Sequence, residues 1–238
     1  MEAEIRVEAD VTSAALELAT ATLASAVANS GRAVLCLSGG STPVPLYQRL
    51  AQRPDLPWAD TLLTWGDERY VKHDHPDSNY GAAKRVLVDQ VGVRPHNVLP
   101  WPEGPTPAAA AAEYGRTLTA ALGATSTFDL NIVGLGADGH TASLFPGTGA
   151  ATRTEVTFAL AVPGFGWRLT MGAGRLSDSR VTLFIVSGEN KRRALEDTFG
   201  PAARGDSARS AALLDHFPAR AIGATERLIV ITDVNFLP

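Results

Sequence analysis

This 238-residue chain carries 21 lysines and arginines against 25 aspartates and glutamates, a formal charge of −4, with 45% hydrophobic and 19% charged residues. That balance describes a folded globular protein, expected as one domain over residues 1–238, and excludes a disordered chain or a basic nucleic-acid-binding surface. The single cysteine, Cys36, excludes an internal disulfide, and polar residues are expected to interrupt every apolar run before membrane-spanning length, so neither a membrane partner nor a signal peptide is expected.

The first predicted element is a helix over Thr12–Ser30, with Leu16, Leu23 and Val27 on an apolar stripe and Gly31 as its stop. The apolar run AVLCL, Ala33–Leu37, reads as a buried strand. SGGSTP, Ser38–Pro43, then forms a glycine turn into a second helix, with Thr42 as cap and Pro43 in the first turn. TLLTW, Thr61–Trp65, is a strand leading into a charged loop, GDER. Asn79–Val88 is a helix capped by Ser78, Asn97–Leu99 a weak strand, and Thr106 with Pro107 opens an alanine-rich helix to Leu122. DLNIVGLG, Asp129–Gly136, is a buried strand emerging into a loop. Further strands are predicted in Glu155–Val162, Arg168–Met171, Val181–Val186 and Arg227–Ile231, with helices at Asn190–Phe199 and Ser207–Phe217 and a polar surface connection over Pro201–Ser210. Strands alternating with helices predict an α/β fold: an open, mostly parallel, Rossmann-like sheet flanked by helices, with a small antiparallel patch in the C-terminal half. Ligands of such sheets collect beyond the carboxyl ends of the strands, where SGGSTP, GDER and GADGH all fall.

Three loops carry chemistry. In SGGSTP, Gly39 and Gly40 expose backbone amides, Ser41 and Thr42 offer hydroxyls, and a helix N-terminus follows; this suits a phosphate, or equally a tight turn with an N-cap. In GDER, Asp67, Glu68 and Arg69 either form a solvated turn or serve a site, with Arg69 binding an anion and Asp67 orienting substrate or water. In GLGADGHTASLFPG, Asp138 and His140 stand one residue apart in a glycine-rich loop. An imidazole of ordinary pKa, about 6.5, takes a proton from water near neutral pH, and a carboxylate orients it; metal ligation or a surface histidine are the alternatives. Arg168, Arg175 and Lys191 are candidates to complete an anion clamp. His73 and His75 lack the spacing of a metal site. Cys36 reads as a small core residue, and no G-x-S-x-G elbow is present.

These segments together resemble the 6-phosphogluconolactonase family, within the larger group of glucosamine-6-phosphate deaminases and ribose-5-phosphate isomerases. The resemblance is carried by LSGGSTP at Leu37–Pro43, WGDERYV at Trp65–Val71, HPDSNY at His75–Tyr80, GLGADGHTASLFPG at Gly134–Gly147, RLTM at Arg168–Met171 and GENK at Gly188–Lys191. Deaminases usually carry an MDEY-like segment in place of GDERY and an FNEP-like one after the histidine. Here Thr141–Pro146 follows His140 and the ring-opening glutamate is absent. Near its end the chain has RLIVITDVNFLP where the family has a tryptophan-and-aspartate signature, with Asp233 as an imperfect counterpart. The resemblance implies hydrolysis of 6-phospho-D-glucono-1,5-lactone, with His140 as base, Asp138 and Asp67 as catalytic partners, and Gly39, Gly40, Ser41, Thr42, Arg69, Arg168 and Lys191 as substrate-binding groups. It implies no metal, no cofactor, no obligatory protein partner and a cytoplasmic location in the oxidative pentose phosphate pathway. A deaminase or isomerase, and a sugar-phosphate-binding regulator without turnover, are the competing readings.

Overall fold

The computed structural model describes residues 2–123, 127–203 and 210–237. Ten strands and seven α-helices are described: β1 (Glu4–Val7), α1 (Val11–Ser30), β2 (Ala33–Leu37), α2 (Val44–Ala51), β3 (Thr61–Trp65), β4 (Asp67–Arg69), α3 (Asn79–Val86), β5 (Val98–Leu99), α4 (Pro107–Leu122), β6 (Phe128–Val133), β7 (Thr157–Val162), β8 (Gly166–Met171), α5 (Ala173–Ser177), β9 (Ser179–Val186), α6 (Arg192–Phe199), α7 (Ala211–His216) and β10 (Arg227–Thr232). Seven strands form one parallel sheet in the order β1-β10-β9-β6-β2-β3-β5. The other three form a small antiparallel sheet, β4-β8-β7.

A parallel sheet covered on both faces buries every residue of its central strands, so those strands read as continuous apolar runs. AVLCL and TLLTW are buried at all five positions each. The helices end where their caps dictate: Ser78 accepts from the Gly81 amide, Thr106 from the Ala109 amide, and Gly31 closes α1 in the left-handed region at φ 75°.

Three local expectations need correction, and two elements were not foreseen. Asp67–Arg69 is a strand of the second sheet rather than a loop, because its backbone pairs with Arg168–Thr170. Thr42 does not cap α2, since the turn runs one residue further and Pro43 takes the cap position with no side-chain bond. β1 and α5 left no strong signal: β1 has only four residues, none fully buried, and α5 has five. Finally, α1 is long and apolar enough, by length and composition, to cross a membrane, because its alanines outweigh the scattered polar residues. In this fold its Ala15, Leu18, Ala19, Leu23 and Ala26 are buried, and it packs on β2, β6, β9 and β10. The predicted helix at Ser207–Phe217 is described only from 210 onward, as α7, and most of the polar connection before it lies outside the described residues.

The strand order fixes where a ligand sits. From β2 the chain builds outward through β3 and β5 on one side, and from β6 through β9 and β10 on the other. The reversal lies between β2 and β6, and the crevice beyond their carboxyl ends is the expected binding position. SGGSTP leaves β2 and GLGADGH leaves β6, so the two loops flank that crevice.

Candidate active site

The loop after β6 builds the histidine's setting from backbone. The Gly136 amide donates to the His140 carbonyl at 2.7 Å, the Gly139 amide to the Gly136 carbonyl at 3.0 Å, and the Thr141 hydroxyl to the Gly134 carbonyl at 2.8 Å. Gly139 has φ 86°, a conformation that favours glycine. The closed loop brings Asp138 Oδ1 to 2.6 Å from His140 Nδ1, and the same oxygen accepts the His140 amide at 3.1 Å. The hydrogen bond from His140, with its charge, holds the Asp138 carboxyl down to about 2. An ionised Asp138 places the ring proton on Nδ1, which leaves Nε2 as a proton acceptor. His140 also stacks on Phe145, with ring centroids 4.4 Å apart and planes 23° from parallel.

Asp67 ties this loop to the rest of the edge. It is 6% exposed, and its two carboxylate oxygens accept from the Ser143 hydroxyl at 2.7 Å and the Asn79 amide nitrogen at 3.2 Å. Asn79 also donates to the Asp67 carbonyl at 3.0 Å, and its side chain lies where a Cβ on Gly39 would stand. SGGSTP, GDER, HPDSNY and DGHTAS are therefore clamped together by three side chains. Glu68 does comparable work for α3: it accepts the Ser78 hydroxyl and the backbone amides of Arg69, Asn79 and Tyr80. Burial pushes its carboxyl up, and the Tyr80, Asn79 and Arg69 amides pull against that rise.

Positive charge gathers beside the clamp. Arg69 and Arg168 are directly opposed across β4 and β8, a pairing of like charges that costs stability unless an anion shares it. Burial first, and then the Arg69 charge, push the Arg168 guanidinium below its ordinary value. Arg69 donates to the Asp77 carbonyl at 2.7 Å. At α2 no side chain caps the first turn, which follows directly on Gly40 (φ 90°), Ser41 and Thr42. Tyr47 pins that turn, donating to the Ser38 carbonyl at 2.8 Å and accepting its amide at 3.0 Å.

Other candidates sit apart. Lys191 follows β9 on the same edge, half-buried, and no hydrogen bond joins it to the dyad. Arg175 stands over the Phe128 ring at the start of β6, 4.1 Å from its centroid, with Asp178 at 3.4 Å. Asp233 accepts from Ser187 and Gly188, fastening the β10 and β9 loops to each other. His73 binds the Trp101 carbonyl at 2.7 Å. Among the described residues no group of three or more His, Cys, Asp or Glu gathers as metal ligands. Cys36 is fully buried, and burial pushes its thiol up to about 12. A cavity of about 530 Å³ opens beside Asp138 and Gly139, with Phe145, Phe165 and Phe217 in its walls.

The family model for glucosamine-6-phosphate isomerases/6-phosphogluconolactonase matches residues 6–230. The chain belongs to this family. A 6-phosphogluconolactonase from Synechocystis is 38% identical over 224 residues, covering 92% of this chain and 89% of that protein. One from Nostoc is 37% identical over 193 residues, covering 79% and 80%. The crystal structure of a 6-phosphogluconolactonase from Thermotoga maritima superposes with a TM-score of 0.84 at 23% identity, over 97% of this chain and 99% of that one, a likeness of fold.

Of the residues singled out from the sequence, Asp138 meets His140 and Arg69 lies opposite Arg168, while what holds Asp67 and the glycine loop was not foreseen. Asn79 and Ser143 act on Asp67 from 12 and 76 positions away, whereas Tyr47 and Phe145 act on nearer partners, Ser38 and His140, through side-chain contacts that the turn geometry decides. Only Asn79, inside HPDSNY, and Ser143 with Phe145, inside the long glycine motif, lay within segments that had drawn notice.

Proposed function

We propose that the protein hydrolyses 6-phospho-D-glucono-1,5-lactone to 6-phospho-D-gluconate, as a cytoplasmic enzyme of the oxidative pentose phosphate pathway. The observation that carries this reading is the Asp138–His140 contact of 2.6 Å, on a ring whose Nε2 is left as acceptor. His140 takes a proton from water as the water oxygen bonds to C1. The tetrahedral intermediate collapses with cleavage of the C1–ring-oxygen bond, and the imidazolium returns its proton to that oxygen. The new carboxylic acid then releases a proton to solvent.

The substrate's phosphate is the natural occupant for Arg69 and Arg168, which otherwise oppose each other, with the amides after Gly40 and the hydroxyls of Ser41 and Thr42 as further donors. Asp67 has both oxygens engaged by the protein, so it acts here by holding Ser143 and Asn79 in place. The family also includes isomerases. The lactone is favoured because no residue from Thr141 to Gly149 carries a carboxyl to assist ring opening of an amino sugar, and an aromatic face lies against His140 instead. The curated relatives at 37–38% identity carry the lactonase name.

The test is hydrolysis of freshly generated 6-phosphogluconolactone, with the spontaneous rate subtracted and unphosphorylated gluconolactone run alongside. Acceleration with strong preference for the phosphorylated lactone is expected, and His140→Ala lowers turnover by roughly 10²–10⁴-fold. Folded protein that leaves the spontaneous rate unchanged, or that releases ammonia from glucosamine 6-phosphate, refutes the reading.

A further inference from the structure

An imidazole turns about two side-chain bonds, and Asp138 restrains it through a single contact at Nδ1. The second restraint is a flat face. Phe145, 6% exposed, lies against the imidazole at 4.4 Å, and Phe165 backs Phe145 at 5.3 Å and 32°. Phe165 sits in the turn joining β7 to β8, between Gly164 and Gly166, both with positive φ. It is 54% exposed. Its centroid lies 5.9 Å from the guanidinium carbon of Arg168.

We propose that Phe145 and Phe165 are positioning residues for His140: Phe145 fixes the plane of the imidazole, and Phe165 holds Phe145 in place from the β7–β8 turn. This rests on the hydrolase reading above. A leucine at 145 fills much of the same volume but offers no plane, so the ring would lose its orientation without leaving an empty core. Catalytic groups tolerate only about 10–20° of error, and displacement of about 1 Å costs on the order of a hundredfold.

The experiment compares Phe145→Leu, Phe145→Tyr, Phe165→Ala and the Phe145→Leu/Phe165→Ala double variant, reading kcat and KM separately on the phosphorylated lactone. Phe145→Leu is expected to lower kcat by roughly ten- to a hundredfold with KM changed by less than about twofold, and Phe145→Tyr to restore it. Phe165→Ala, at an exposed position that the fold does not depend on, is expected to lower kcat by about three- to tenfold. The double variant should be no slower than Phe145→Leu, because Phe165 acts through Phe145. Unchanged kcat in Phe165→Ala, a loss confined to KM, or losses that multiply in the double variant would overturn the proposal. The C–H proton resonances of the His140 ring give a reading independent of turnover. Ring-current shifts are expected in the wild type and lost in Phe145→Leu. Wild-type protein without hydrolysis defeats the hydrolase reading, and these resonances then decide the stack alone: unshifted signals overturn it.

Discussion

At Gly136 a side chain of any kind would collide with the dyad, since a Cβ there would overlap both His140 Nδ1 and Asp138 Oδ1. The glycine lets the carboxylate and imidazole close against bare backbone. Gly136→Ala is therefore expected to push the pair apart and lower kcat by about a hundredfold. Its circular dichroism should match the wild type, and near wild-type turnover would contradict the expectation. The Asp138 carboxylate is robust to acid in the folded protein. Its pKa of about 2 lies below the ordinary 3.8. Whatever stability it adds is present above about pH 4 and lost as pH falls through about 2. Above about that value Asp138 stays ionised and keeps the imidazole oriented.

Strand β4 and helix α3 show how an element can be misread for a sound local reason. Asp67, Glu68 and Arg69 in succession argue for a solvated loop, because buried charge is costly. The cost is met by donors supplied eleven or so positions later, where Ser78, Asn79 and Tyr80 all donate to Glu68. Glu68→Gln would turn an amide N–H₂ toward those donors and should destabilise the fold by about 2 kcal/mol, the order of a lost hydrogen-bond set to a buried charged group. A lowered urea midpoint with unchanged slope is the expected result; an unshifted midpoint would show that these bonds contribute little. The helix caps went the other way. Ser78 and Thr106 were legible because a cap and its amide partner sit within three residues of each other.

Over the whole molecule, the two ends of the chain meet in one sheet. β1 pairs in parallel with β10, Glu4 opposite Ile229 and Val7 opposite Thr232, and the small sheet is joined to the large one through Gly66, whose carbonyl accepts the Met171 amide at 2.9 Å. One sheet stapled at both ends, with a continuous buried core, should unfold as a unit. Urea unfolding followed by tryptophan fluorescence, with Trp65 and Trp101 buried, and by far-ultraviolet circular dichroism should give coincident midpoints. Two separate transitions would divide the chain into independent parts.

The sequence alone determined what depends on neighbours along the chain. The fully apolar strands, the caps, the glycine loops at strand ends and the Asp-x-His spacing all follow from local sterics, hydrogen bonding and burial, and together they led to the α/β architecture and the family. The tertiary structure decided what depends on which strands lie side by side. It set Arg69 opposite Arg168, tied Asp67 to Ser143 across 76 positions, and stacked Phe165 behind Phe145 and His140. Such contacts leave no periodic trace, because strand order and register place the two partners at separations that neither segment encodes by itself.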